Sequence, residues 1–432
     1  MYGKVSESSR FKFCRSIIFV LMYVLCFCAF LIRRSVSIGA MGVASSFNIG
    51  IGVYSSLGIM YYIVSLFGSL FGGILSDKSD SRLILPVIIG CSALFSCGMI
   101  GFEILYHVGM INFDAVIMYM YTVWIVSALA QSMIFVICMK LLSFWYPSKL
   151  RIYFMSGWFT YKELGSIFST LLIVSMIRTL NPEMIFLVPA FVGVFICIIS
   201  FILLRDKPNE KLLSLDSESI VDENTSFLYR INKYVLFNKS IWLLSLVLLC
   251  IFILNHGPMD FLRIHFNDNK LNLLSPSFIR NFLIPICGLI GVLAVPLISE
   301  KVLKGNRKLA LLMYIGFGFL CMTNIWLIEK FSFIIPGLFI YCIKMILLLF
   351  LIMSLYGSVV LVNMIVVSLV PKSVVSTAVG FVASISYIGS IIVILSNKFT
   401  RQFSIDSLMG IWGLLYLVAL VLMSVFYKRS KK

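Results

Sequence analysis

The chain has 432 residues, of which 61% are hydrophobic and only 12% charged, and it carries a net charge of +17. A soluble domain has roughly 45–50% apolar and about 25% charged residues, so no water-soluble fold of this length covers so much apolar surface, whereas a bilayer does. The apolar stretches are long and do not alternate, which excludes a membrane β-barrel, whose strands change face every second residue.

The basic opening (Lys4, Arg10, Lys12, Arg15) runs into a long apolar stretch without a cleavage pattern, and predicts a first span that stays attached. With it, twelve spans lie in order near 16–42, 50–76, 83–106, 116–143, 152–177, 183–204, 240–262, 277–298, 309–328, 333–369, 373–397 and 407–427. Each is long enough to cross a bilayer at a rise of about 1.5 Å per residue. The tenth run is long enough to imply a kink or an outer loop at its start. The expected fold class is an all-α membrane protein of about twelve transmembrane helices.

An even number of spans puts both termini on one side. The termini and the even-to-odd connections, with their edges, hold 24 Lys and Arg; the opposite connections hold 7, and 4 lie deep in spans. Positive charge marks the cytoplasmic side. A multi-pass protein of the cell's inner (plasma) membrane with both termini cytoplasmic is expected, and the net charge is a topology signal. Because the basic residues are scattered over separate segments, they form no nucleic-acid-binding stripe.

Residues 205–238 are polar, with Asp206, Glu210, Asp216, Glu218, Asp222 and Glu223 among Lys, Arg and Ser. This stretch predicts a cytoplasmic linker between a six-helix half at 1–204 and another at 239–432. The halves repeat. Gly73-Ile-Leu-Ser-Asp77-Lys78-Ser-Asp-Ser-Arg82 follows the second span, and Pro296-Leu-Ile-Ser-Glu300-Lys301, with Lys304 and Arg307 behind it, follows the eighth. Their acidic residues are 223 apart; Pro147 and Pro371, and Gly165-Ser166 and Gly389-Ser390, are 224 apart. Parallel repeats of this kind put a substrate between the halves, near the bilayer midplane.

The eleven Cys include no C-x-x-C pair and lie mostly in apolar runs, where they act as small hydrophobes. There is no G-x-x-x-x-G-K loop and no metal-spaced His/Cys set, and the chain has three His in all. No enzyme, cofactor or metal centre is expected, and the linker is too short to hold an ATPase domain. In the first repeated loop, Gly72 and Gly73 permit close helix approach. Asp77, Lys78 and Arg82 are candidates for a conformational gate that bonds to helix ends across one face; the alternative is an ordinary charged turn.

Gly-x-x-Ser-Asp77-Lys78-x-x-x-Arg82 resembles the loop signature of the major facilitator superfamily. A narrower set resembles the organophosphate:phosphate antiporters: Leu31-Ile-Arg33-Arg34-Ser35, the 73–86 run, Trp158 with Gly165, Asn238-Lys239, Gly257 with Asp260, Lys304-Gly-Asn-Arg307, Tyr356-Gly357, and Val370-Pro371-Lys372 through Thr377-Ala-Val-Gly380-Phe381. The resemblance runs from about residue 20 to 425. It implies two rocking six-helix halves, and exchange of glycerol 3-phosphate or a hexose phosphate for inorganic phosphate by a monomer.

Charges inside spans are costly and usually face a polar cavity. Arg33 has the planar fork that suits a phosphate, and the resemblance implies a phosphate-binding arginine there; snorkelling to the interface is the alternative. Arg34 points about 100° away and is expected to snorkel or touch a helix. Lys162 stands where the family has a histidine near the substrate; the alternative is a Lys–acid pair that locks helices. The repeat offset carries Arg33 onto Asn255 and His256, and the antiporters have a second arginine where this chain has Asn255. His256 is a candidate for coupling protons or a structural residue beside Pro258. Tyr356 matches a cavity-lining tyrosine and is otherwise a packed aromatic. Lys344 is expected to pair with Glu103 or Glu163 or to face the cavity, and Glu103 to lie at the interface. Two further readings stay open: a membrane sensor of sugar phosphates, and a proton-coupled carrier of another organic anion.

Overall fold

The computed structural model describes residues 9–47, 51–107, 113–179, 184–208, 225–268, 278–330, 337–400 and 405–429. In lipid every backbone N–H and C=O must be satisfied within its own segment, so long apolar runs become helices. Among the described residues there are twelve long ones: α1 (Ser9–Phe47), α2 (Ile51–Lys78), α3 (Ser81–His107), α4 (Phe113–Trp145), α5 (Ser148–Thr179), α6 (Met184–Leu203), α7 (Lys239–Asp268), α8 (Ile284–Pro296, extended by π turns at Ile279–Leu283 and Leu297–Val302), α9 (Arg307–Lys330), α10 (Gly337–Leu369), α11 (Val375–Thr400) and α12 (Ile405–Arg429). Most helices overrun the predicted spans by several residues. The tenth run is one continuous helix over its described length, and α7 runs unbroken through Pro258. A short helix, Phe227–Ile231, and a π turn, Asn232–Leu236, occupy the end of the expected linker.

Eleven of the twelve are apolar enough to cross a membrane on length and composition alone. The exception is α5, which carries Lys162 and Glu163 near its middle.

The helices pack in a repeating pattern. In the first six, α1 lies against α5 and α6, α4 against α2 and α3, and α3 against α6; in the second six, α7 lies against α11 and α12, α10 against α8 and α9, and α9 against α12. Every pair recurs six helices later. The repeated glycines serve equivalent seams: a side chain at Gly165 would collide with Phe30 of α1, and one at Gly389 with the Leu249 carbonyl of α7. The two sets meet chiefly where α2 crosses α11 and α5 crosses α8.

Polar residues close the helix ends. Asp80 accepts the Arg82 amide (2.8 Å) at the start of α3, and Asn306 does the same for the Leu309 amide (3.1 Å) at the start of α9. Buried Arg151 donates to the Tyr146 and Ser143 carbonyls at the end of α4, where a cation complements the helix dipole. Buried Lys140 of α4 donates to the Ser76 and Ser79 carbonyls at the end of α2 and pairs with Asp206 at 3.3 Å. All eleven cysteines are free thiols; Cys26 and Cys138 touch, sulfur to sulfur, at 3.5 Å.

Candidate functional site

Arg33 sits on α1, half-buried, one turn beyond Phe30. Its guanidinium lies over the Phe30 ring, 4.5 Å from the centroid, and over the Tyr61 ring at 5.1 Å. Nη1 also donates to the Tyr61 hydroxyl at 2.6 Å. Gly165 of α5 gives Phe30 its place, since a side chain there would enter the ring. Tyr61 is buried and is itself fixed by Trp124 on α4, with ring centroids 5.9 Å apart. Aromatic faces and a phenol hold this cation, and no carboxylate pairs with it among the described residues. Arg34 makes a helix contact, one of its two expected roles: Nη2 donates to Asn281 Oδ1 (3.3 Å), bridging α1 to the π turn that leads into α8.

Lys162 of α5 is half-buried, and its ammonium lies 5.3 Å from the ring centroid of Tyr356 on α10. Arg33 and Lys162 are close enough for their charges to act on one another. Tyr356 packs beside Gly288 of α8, and so does the carboxyl of Glu163, which is 3% exposed. Lys162, Glu163 and Tyr356 thus meet where α5, α8 and α10 converge, on the seam between the two sets of helices.

The second-half candidates sit nearby with less charge. His256 of α7 shares a hydrogen bond of 3.1 Å with Ser390 and stands edge-on to Tyr62, 5.5 Å between centroids. Tyr62 in turn faces Tyr387 of α11 at 6.1 Å. Asn255 is half-buried and makes no hydrogen bond among the described residues. Lys344 pairs with Glu329 of α9 and, among the described residues, not with the expected Glu163. The side chain of Glu103 lies outside the described residues.

The other group of candidates lies where the end of α2 meets the start of α11. Asp77 Oδ2 accepts the Thr377 amide and hydroxyl, both at 2.7 Å, and Oδ1 accepts the Ser376 amide at 3.2 Å. Gly73 lets this happen, because a side chain there would strike the Ser376 carbonyl and the Thr377 backbone. Below them Ser69 and Ser384 hydroxyls meet at 2.9 Å and Ser384 donates to the Leu66 carbonyl at 2.7 Å. Lys78 lies over the Phe227 ring at 5.2 Å, on the short helix before α7. Arg82 is exposed and its side chain bonds to nothing among the described residues. In the second copy the chemistry differs. Glu300 accepts from Arg307 (3.1 Å), and Arg307 donates to the Ser148 carbonyl of the opposite half (2.9 Å).

Sequence reasoning missed Tyr61, Tyr62, Tyr387, Lys140 and the position of Glu163. The adjacent Tyr61-Tyr62 pair inside an apolar run was the available signal; Glu163 was visible only as Lys162's neighbour.

Residues 22–393 match the profile of the Major Facilitator Superfamily. The membrane sensor protein UhpC of Escherichia coli is 23% identical over 365 residues, 81% of this chain and 76% of that protein. The glycerol-3-phosphate transporter of Bacillus subtilis is 23% identical over 349 residues, 78% of this chain and 75% of that protein. Among solved structures, an outward-facing bacterial homologue of the iron transporter ferroportin superposes with a TM-score of 0.76 at 11% identity, covering 96% of this chain and 99% of that one. The proton:xylose symporter XylE superposes at 0.71 with 12% identity, covering 97% and 96%. At these identities the two structures carry the fold alone.

Proposed function

The chain belongs to the Major Facilitator Superfamily, a family of membrane transporters and not of enzymes, and within it we propose that the protein exchanges a small phosphate ester for inorganic phosphate by alternating access. Glycerol 3-phosphate and hexose phosphates are the candidate esters. The observation that carries this reading is Arg33: a guanidinium inside the bundle, held by Phe30 and Tyr61 and by no carboxylate among the described residues. A planar fork so placed is suited to two phosphate oxygens. Lys162 adds a second positive charge, with Tyr356 beneath it as a hydrogen-bond donor for a phosphate oxygen. The second half offers Asn255 and His256, a polar wall that orients the rest of the solute.

The moving parts are the two six-helix halves, 1–204 and 239–432, joined by the 205–238 linker. Gly73, Asp77, Lys78 and Arg82 form the gate region of the first half. With the positive-inside pattern, both termini and this gate lie on the cytoplasmic side of the inner membrane. Similarity to the Bacillus glycerol-3-phosphate transporter supports the choice of phosphate esters. Similarity to the sensor UhpC supports a second reading, in which the same cavity binds a sugar phosphate and reports it to a partner protein.

Counterflow decides between them. Purified protein in liposomes preloaded with phosphate should take up labelled glycerol 3-phosphate or glucose 6-phosphate, and do so faster than phosphate-free liposomes. Binding of an ester with no flux in either direction would favour the sensor. No binding of any phosphate compound would remove the anion reading.

A further inference from the structure

We propose that Glu163 is the site where the protein takes up a proton when an anion binds, so that solute and proton cross together. The inference rests on the anion site described under Proposed function and adds the group that balances its charge. Glu163 is 3% exposed and makes no hydrogen bond or ion pair among the described residues. Its carboxyl carbon lies 3.2 Å from where a Gly288 side chain would begin, beside the Tyr356 ring, so it is wedged between α5 and the second set of helices. A buried carboxylate without donors is sustained by a counter-charge or else takes a proton.

The surroundings supply one counter-charge. On its own helix Lys162 is the charged group that acts on Glu163. From α8 it meets Gly288, which has no side chain, and from α10 the phenol of Tyr356. Helix α1 brings Arg33, which acts on Lys162, and Arg34, which is held by Asn281 and acts on Tyr356. Tyr62 of α2 also acts on Tyr356, and His256 of α7 acts with Lys162. Lys140 of α4 is engaged elsewhere by Ser76 and Asp206, and α6 carries no charged residue.

The cost of leaving unbalanced charge in a buried site then sets the coupling. Arg33, Lys162 and Glu163 together carry one excess positive charge; Arg34, turned to Asn281 at the entry of α8, stands outside this group. A phosphate-ester dianion drawn to Arg33 and Lys162 would leave one excess negative charge, and would take from Glu163 the ammonium that sustains it. One proton on Glu163 restores neutrality. It also changes the α5–α8 seam from charged to neutral, which favours movement of one set of helices past the other.

The test uses purified full-length protein and glycerol 3-phosphate at pH 8, where the ligand itself is a dianion, its second pKa lying near 6. Calorimetry in two buffers of different ionisation heat reads protons exchanged on binding. The parent should take up protons, and its affinity should weaken by up to about tenfold per pH unit as pH rises. Glu163→Gln should bind with no proton uptake and with an affinity independent of pH over that range. Equal proton uptake by parent and Glu163→Gln would overturn the proposal while leaving the anion site intact. If neither glycerol 3-phosphate, glucose 6-phosphate nor phosphate binds the parent, the anion site falls and the coupling falls with it. Infrared difference spectra of the unmodified protein keep the question answerable if the variant does not fold. Ligand should bring up a protonated-carboxyl C=O band, and its absence at saturation would sink the idea.

Discussion

Asp77 Oδ2 receives two hydrogen bonds from Thr377, one from its amide and one from its hydroxyl, each 2.7 Å long. The residues lie 300 positions apart in the chain. Thr377 is in the first turn of α11, where unpaired amides and the helix dipole favour an anion, so the end of one helix set is tied to the start of a helix in the other.

Asp77→Asn keeps the shape but removes the charge and turns one acceptor into a donor. Hydrogen bonds to charged groups contribute roughly 1.5–3 kcal/mol each; loss of one shifts the closed-to-open ratio by about tenfold to a hundredfold. Flux should fall with little change in affinity, because the change acts on the conformational equilibrium. Flux assays and equilibrium binding on the same preparation read both quantities. A large affinity loss with normal turnover would contradict the gate.

Gly73→Leu should disable closure outright. The new side chain enters space held by the Ser376 carbonyl and Thr377 backbone, and backbone cannot yield as a side chain tip does. A reporter cysteine replacing Ser384, buried in the present arrangement, should become reactive to thiol reagents in Gly73→Leu and stay protected otherwise.

Arg33→Lys retains the charge and loses the fork, so binding of phosphate esters should weaken about tenfold or more. Tyr61→Phe removes only the hydroxyl that accepts from Arg33; about 1 kcal/mol, or roughly fivefold, is expected. If Arg33→Lys binds phosphate, glycerol 3-phosphate and hexose 6-phosphates as the parent does, the anion site lies elsewhere.

Topology is open to a direct check. Single cysteines placed in 205–238 of a cysteine-free variant should resist a membrane-impermeant maleimide in intact cells and react after permeabilisation. Reaction in intact cells would invert the orientation.

Much of the fold could be read from the sequence because apolar length specifies a span without help from tertiary contacts. The twofold repeat was legible too: Gly165 and Gly389, matched by spacing alone, do stand on equivalent seams. Partners across the bundle were not legible. Nothing local in Lys344 indicates Glu329, and nothing in Tyr61 indicates Arg33, since each pairing depends on how helices rotate about their axes. The two gate copies show the same limit. Asp77 and Glu300 match by spacing, yet Asp77 reaches α11 directly while Glu300 works through Arg307.

The polarity of α5 has a cost at birth. Eleven helices are long and apolar enough to enter a bilayer on composition alone, whereas a lysine near the middle of α5 adds roughly 2.5–3.5 kcal/mol to the cost of its insertion. Helix α5 would therefore gain from entering in company, and the close Phe30–Gly165 contact offers it α1 as a neighbour. Lys162 and Glu163 find their enclosure only with α8 and α10, which follow later in the chain. The residues that would handle the solute are thus also the ones that make this span the most dependent on its neighbours during biogenesis.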